Sequence, residues 1–125
     1  MTQGLAFLLS LLIEGAIAAL LGICFSERLA LSRFGASVRT CAAAVIGTGA
    51  THPVLWMVFS RLLEWTGTWR GAVALGETGV ILVETLFYAA ALRGHWRLSF
   101  GLSAVANLVA LGAGILITSW LVQAK

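Results

Sequence analysis

Three of the chain's five carboxylates, Glu14, Glu77 and Glu84, stand inside long apolar runs, and none of its eight Lys and Arg residues does. An ionised carboxylate without a partner is costly in hydrocarbon, so each must keep a proton, hold a cation or meet a base. Bases of this chain are excluded as partners at that depth unless an interfacial side chain reaches far inward. His52, in the otherwise charge-free run 40–60, is the one further group able to join either remaining scheme. Three carboxylates and an imidazole make a mixed oxygen and nitrogen donor set that suits Zn, Mn or Fe, and the lack of a deep thiolate disfavours Cu(I). The Glu-x-x-His pairs of dinuclear carboxylate bundles do not occur. The same groups can instead relay protons.

Spacing strengthens the grouping. Glu77 and Glu84 lie seven residues apart, so on an ideal helix they point within about 20° of each other. Tyr88, four residues beyond Glu84, continues the stripe. In "GTGATHPVLW" the small residues Gly47, Gly49 and Ala50 precede Thr51, His52 and Pro53. Proline has no amide hydrogen and disturbs the carbonyl one turn back, at Gly49. A kinked turn beside a histidine is expected there, with backbone oxygens turned into the bundle. Metal ligation or proton relay is thus assigned to Glu14, His52, Glu77 and Glu84, with Thr51, Tyr88 and Asn107 as supporting donors. His95, between Gly94 and Trp96, is expected in solvent.

These residues need helices to hold them. The chain has 125 residues, 60% of them hydrophobic and 10% charged, with a mean hydropathy of +0.99. Soluble domains carry about twice that charged fraction. Charges divide the chain into four runs, each long enough to cross a hydrocarbon layer of about 30 Å. In lipid, runs of this kind satisfy their backbone only as helices. The expected fold is all-α and polytopic: one compact bundle over 1–125, with transmembrane helices at about 3–26, 38–61, 71–92 and 98–122. At a rise of about 1.5 Å per residue, Glu14, His52, Glu77, Glu84 and Asn107 share a central slab about 14 Å thick.

The formal charge is +3, but the bases are scattered singly, without the basic face that nucleic acid requires. They read better as topology signals. Arg28, Arg33, Arg39, Arg93 and Arg97 fall on one side, and Arg61, Arg70 and Lys125 on the other. The positive-inside rule then predicts both termini outside a cytoplasmic (inner) membrane. Trp65, Trp69 and Trp120 are expected in an outer aromatic belt, with Trp96 at the inner interface. The first run has no basic leader and carries a mid-run carboxylate, so a cleaved signal peptide is not expected. Cys24 and Cys41 form no C-x-x-C pair and read as packing residues. Gly15, Ala19, Gly112 and Gly114 are expected to allow close helix contacts, within the bundle or between copies.

The set Glu14, Thr51-His52-Pro53, Glu77 with Glu84, and Asn107 resembles the pattern of a loose group of small, uncharacterised four-helix membrane proteins. That group has a Glu in its first helix, a polar-Pro turn in its second, paired Glu in its third and an Asn in its fourth. Its pattern has an amide where this chain has His52. The resemblance implies an integral membrane bundle and no settled activity.

Three functions fit these residues. The first is a membrane protein that binds a divalent metal or relays protons, for ion transport, in a homo-oligomer or with a partner membrane subunit. The second is an intramembrane metal-dependent enzyme, although neither H-E-x-x-H nor G-x-S-x-G occurs. The third is an accessory subunit of a larger membrane complex. The lipid bilayer is the surrounding partner in each, and no organic cofactor is indicated.

Overall fold

The computed structural model describes residues 3–123, so Lys125 lies outside the described residues. Four helices follow one another: α1 (Gln3–Cys24), α2 (Arg33–Thr66), α3 (Trp69–Ala91) and α4 (Trp96–Gln123). All four are long and apolar enough to span a membrane by length and composition. They form a ring in which each packs on its two neighbours in the chain and α4 closes against α1. Adjacent helices run antiparallel, which gives the bundle a basal end with the α1–α2 and α3–α4 connections and a terminal end with both chain termini.

Helix α2 exceeds the expected span of 38–61 by five residues at each end. Local stop signals fix its true limits. Ser32, in extended backbone, accepts a hydrogen bond from Gly35 N at the start, and Gly67 in the left-handed region ends it. That pairing of a hydroxyl N-cap with a glycine C-cap satisfies end groups that a hydropathy count ignores. Thr68 caps α3 in the same way. Helix α2 continues unbroken through Pro53.

The basal half is packed through small side chains. Gly22 sits so close to α2 that a Cβ there would meet Ala36 O at 2.8 Å. Gly15 faces Val45 and Cys41. Ala18, Ala36, Ala43 and Ala44 are buried with them, and Leu29, Tyr88, Leu92 and Leu102 complete this core. The α1–α2 connection folds back over the core, with Leu31 N bonded to Ser26 O and Leu29 N to Phe25 O. Arg39 donates to Ala91 O at 3.4 Å, which ties α2 to the end of α3.

The terminal half is looser. Among the described residues, no side chain of α1 before Glu14, of α2 after His52 or of α4 after Ala110 is buried. Only α3 keeps buried positions there, at Ala72, Gly76 and Val80. Trp65, Trp69 and Trp120 are exposed at this end and Trp96 at the other, the places an interfacial belt requires. Gly112 and Gly114 have nothing within 4 Å of a built Cβ. They make no close contact inside the bundle.

Candidate functional site

The carboxylates lie where the tight and loose halves meet. Glu84 is wholly buried, Glu14 is 1% exposed and Asn107 is 2% exposed. Glu84 projects from α3 against α2 because position 47 is glycine: a Cβ there would stand 3.0 Å from Glu84 Cγ. Both oxygens of Glu84 are engaged. Thr51 Oγ1 is 2.9 Å from Oε1, and Asn107 Nδ2 donates to Oε2 at 2.6 Å. Asn107 is held in turn by Ser103, whose carbonyl accepts its second amide hydrogen at 3.0 Å. Ser103 itself donates to Ile81 O at 3.0 Å.

Glu14, on α1, is bonded by the Thr48 hydroxyl of α2. Thr48 and Thr51 thus present two hydroxyls from one face of α2, one to each carboxyl. Four helices meet at this depth through neutral donors, with no Lys or Arg among them.

The Thr51 hydroxyl has one hydrogen and stands 2.9 Å from Gly47 O as well as from Glu84 Oε1. A carbonyl can only accept. Both contacts are full hydrogen bonds when Thr51 donates to Gly47 and accepts from a protonated Glu84. If Glu84 is ionised, one hydrogen is shared between two acceptors.

The remaining expected residues take different places. Glu77 is half-buried, about two turns from Glu84 toward the terminal end, and among the described residues its carboxyl has no hydrogen-bond partner. His52 is buried, but its ring lies against Phe7 and Trp56, with centroids 6.4 Å and 6.3 Å away. Its Nδ1 has no hydrogen-bond partner. The hydroxyl of Tyr88 is likewise buried and unpartnered, although the ring is wholly enclosed in the basal core. Among the described residues, no group of three or more His, Cys, Asp or Glu side chains is placed to hold a metal ion. His95 is exposed. Cys24 is exposed and Cys41 partly so, both as free thiols.

Thr48 and Ser103 were not singled out from sequence. Thr48 lies four residues before His52, and Ser99, Ser103 and Asn107 recur every four residues on α4. Both are helix-face signals, weakened because Ser and Thr also occur as ordinary packing residues in membrane helices.

No family model matches the chain, and no curated protein or solved structure proves similar to it.

Proposed function

We propose that this chain is an integral membrane protein that carries protons, in which Glu84 holds an exchangeable proton and Glu14 is its partner across the bundle. The reaction class is ion transport, with proton binding and release near mid-membrane as its elementary step. The observation that carries this reading is the enclosure of Glu84 by Thr51, Asn107 and Gly47 with no base at its level. A neutral carboxylic acid fits such a pocket; an unpaired carboxylate does not. Thr48 and Thr51 give the two carboxyls neighbouring hydroxyls through which protons can be handed on. Glu77 lies toward the looser end, where a proton enters or leaves.

The metal arm of the reading has less support. Both oxygens of Glu84 already have partners, so a cation of Zn, Mn or Fe type must displace Thr51 and Asn107 to reach them. His52 lies edge-on to Trp56 and tilted against Phe7. In our reading the basal end, with Arg28, Arg33, Arg39, Arg93 and Arg97, faces the cytoplasm, and both termini face outward across the cytoplasmic membrane. A second copy or a partner subunit covers the sparsely packed terminal half.

The test is proton flux in proteoliposomes under an imposed pH gradient, followed with an entrapped pH dye. Wild type conducts, and Glu84→Gln, which keeps shape but holds no exchangeable carboxyl proton, loses that flux. Equal flux in both proteins would remove Glu84 from the pathway. Metal bound at a fixed ratio and lost in Glu84→Gln would favour the metal arm instead.

A further inference from the structure

A groove of about 340 Å³ runs between α2 and α3 along the terminal half of the bundle. Its α2 wall runs from Ala50 to Leu62, and its α3 wall from Leu75 to Phe87. Along α2 that is about 18 Å at helical rise. The lining is aliphatic apart from Phe87 and Thr51, and the Thr51 hydroxyl is already engaged with Gly47 O and Glu84. The groove therefore offers a visitor hydrocarbon and nothing else. Its inner end lies level with Glu84, and its outer end reaches the last turns of α2. One leaflet of a hydrocarbon layer of about 30 Å is about 15 Å deep, so the groove runs the depth of one leaflet.

The outer mouth has a different chemistry. Residues seven apart on a helix point within about 20° of each other. Arg61 stands seven residues beyond Val54, Trp65 seven beyond Val58, and Trp69 seven before Gly76, and Val54, Val58 and Gly76 all line the groove. The groove faces of α2 and α3 thus continue into Arg61, Trp65 and Trp69 at the terminal interface. Arg61 is exposed, and among the described residues it has no hydrogen bond or ion pair. Trp65 is 83% exposed and Trp69 59%. Glu64 follows the non-lining Met57 by seven and lies off this face.

We infer that this groove seats one acyl chain of an anionic phospholipid, whose phosphate is held at the terminal interface by Arg61 between Trp65 and Trp69. The inference rests on the membrane placement of the four helices and not on the proton-carrying reading. Shape selects the chain: a helix about 10 Å across is too wide for a crease of this volume and length. Charge selects the head. A guanidinium bonds phosphate through paired N–H donors, and a basic residue at the membrane surface favours anionic lipid. A zwitterionic lipid brings an ammonium of the same sign as Arg61. Tryptophan rings rest at headgroup level, which is where the mouth opens.

The glycines supply a clean probe. Gly79 lines the groove, and a Cβ added there meets nothing within 4 Å. Gly79→Leu thus fills groove space without touching Glu84 or its partners. Gly112 is equally open and lies outside the lining, so Gly112→Leu is the matched control.

The full chain in dodecyl maltoside is titrated with phosphatidylglycerol and phosphatidylcholine of identical acyl chains, and bound lipid is counted by native mass spectrometry. One phosphatidylglycerol per chain is expected, bound about fivefold tighter than phosphatidylcholine. Arg61→Gln makes the two lipids bind alike, Gly79→Leu weakens both, and Gly112→Leu weakens neither. Equal wild-type affinity for the two lipids overturns the inference, as does wild-type lipid binding in Gly79→Leu. A wild-type dimer that Gly79→Leu separates would assign the groove to a second copy and overturn it as well.

Discussion

The basal and terminal halves of this bundle are built by opposite rules. In the basal half, Gly22, Ala18, Ala36, Ala43 and Ala44 bring α1 and α2 into close contact, and Leu29, Leu92, Leu102 and Tyr88 seal the base. In the terminal half, large side chains such as Leu12, Met57 and Leu116 are exposed, at 69%, 81% and 71%. They lie where lipid or another chain must cover them. Glu14 and Glu84 sit on the boundary. Below them the floor is closely packed and above them the helices are loosely packed, and both carboxyls are themselves buried. Small residues at a helix contact act through van der Waals packing, because lipid removes most of the hydrophobic drive.

The comparison breaks most visibly if the basal contact is forced apart. Gly22→Leu drives a side chain into the Ala36 carbonyl and Thr40. We expect a loss of about 1–3 kcal/mol, read by SDS-titration unfolding. The matched Gly112→Leu, where a Cβ meets nothing within 4 Å, should stay within about 0.5 kcal/mol. If the two variants unfold alike, the halves do not differ as described.

Next in size is Glu84→Ala. It strips Thr51 and Asn107 of a buried partner, which costs about 1–3 kcal/mol, while Glu84→Gln, able to keep both contacts, costs less. A Gln variant as damaged as the Ala variant would show that shape and hydrogen bonding are not what hold the site. Thr48→Val is a smaller change of about 1 kcal/mol. Its sharper readout is proton flux, which should slow because Glu14 loses the hydroxyl that joins it to α2. Unaltered flux would leave Glu14 outside the relay. Smallest of all, Met57→Ala in the terminal half should shift stability by no more than about 0.5 kcal/mol in nanodiscs. A larger loss there would indicate that a second copy or partner packs over it.

Much of this was legible in the residues. Apolar runs of helical length, poor in charge, give four candidate spans, and the cost of burying acid without base draws Glu14, Glu84 and Asn107 to one depth. Thr51 earns its place because it neighbours the proline turn. The limits of α2 were not legible from hydropathy, since Arg39 and Arg61 interrupt the apolar run while the backbone continues to the caps at Ser32 and Gly67. Rotation about the helix axis was equally hidden. His52 shares its depth with the carboxyls, yet its ring is taken up by Phe7 and Trp56. Depth follows from counting residues, but azimuth depends on neighbours. Thr48 was missed for the same reason, as nothing in its own type distinguishes a hydroxyl that bonds Glu14 from one that bonds its own backbone.

Proton carriage through this bundle requires Glu84 to be a neutral acid in the folded protein. Infrared difference spectra of isotope-labelled glutamate, comparing wild type with Glu84→Gln at neutral pH, address this directly. A protonated-carboxyl C=O stretch present in wild type and missing in the variant is the predicted result. A wild-type spectrum containing only carboxylate bands for that residue would contradict it.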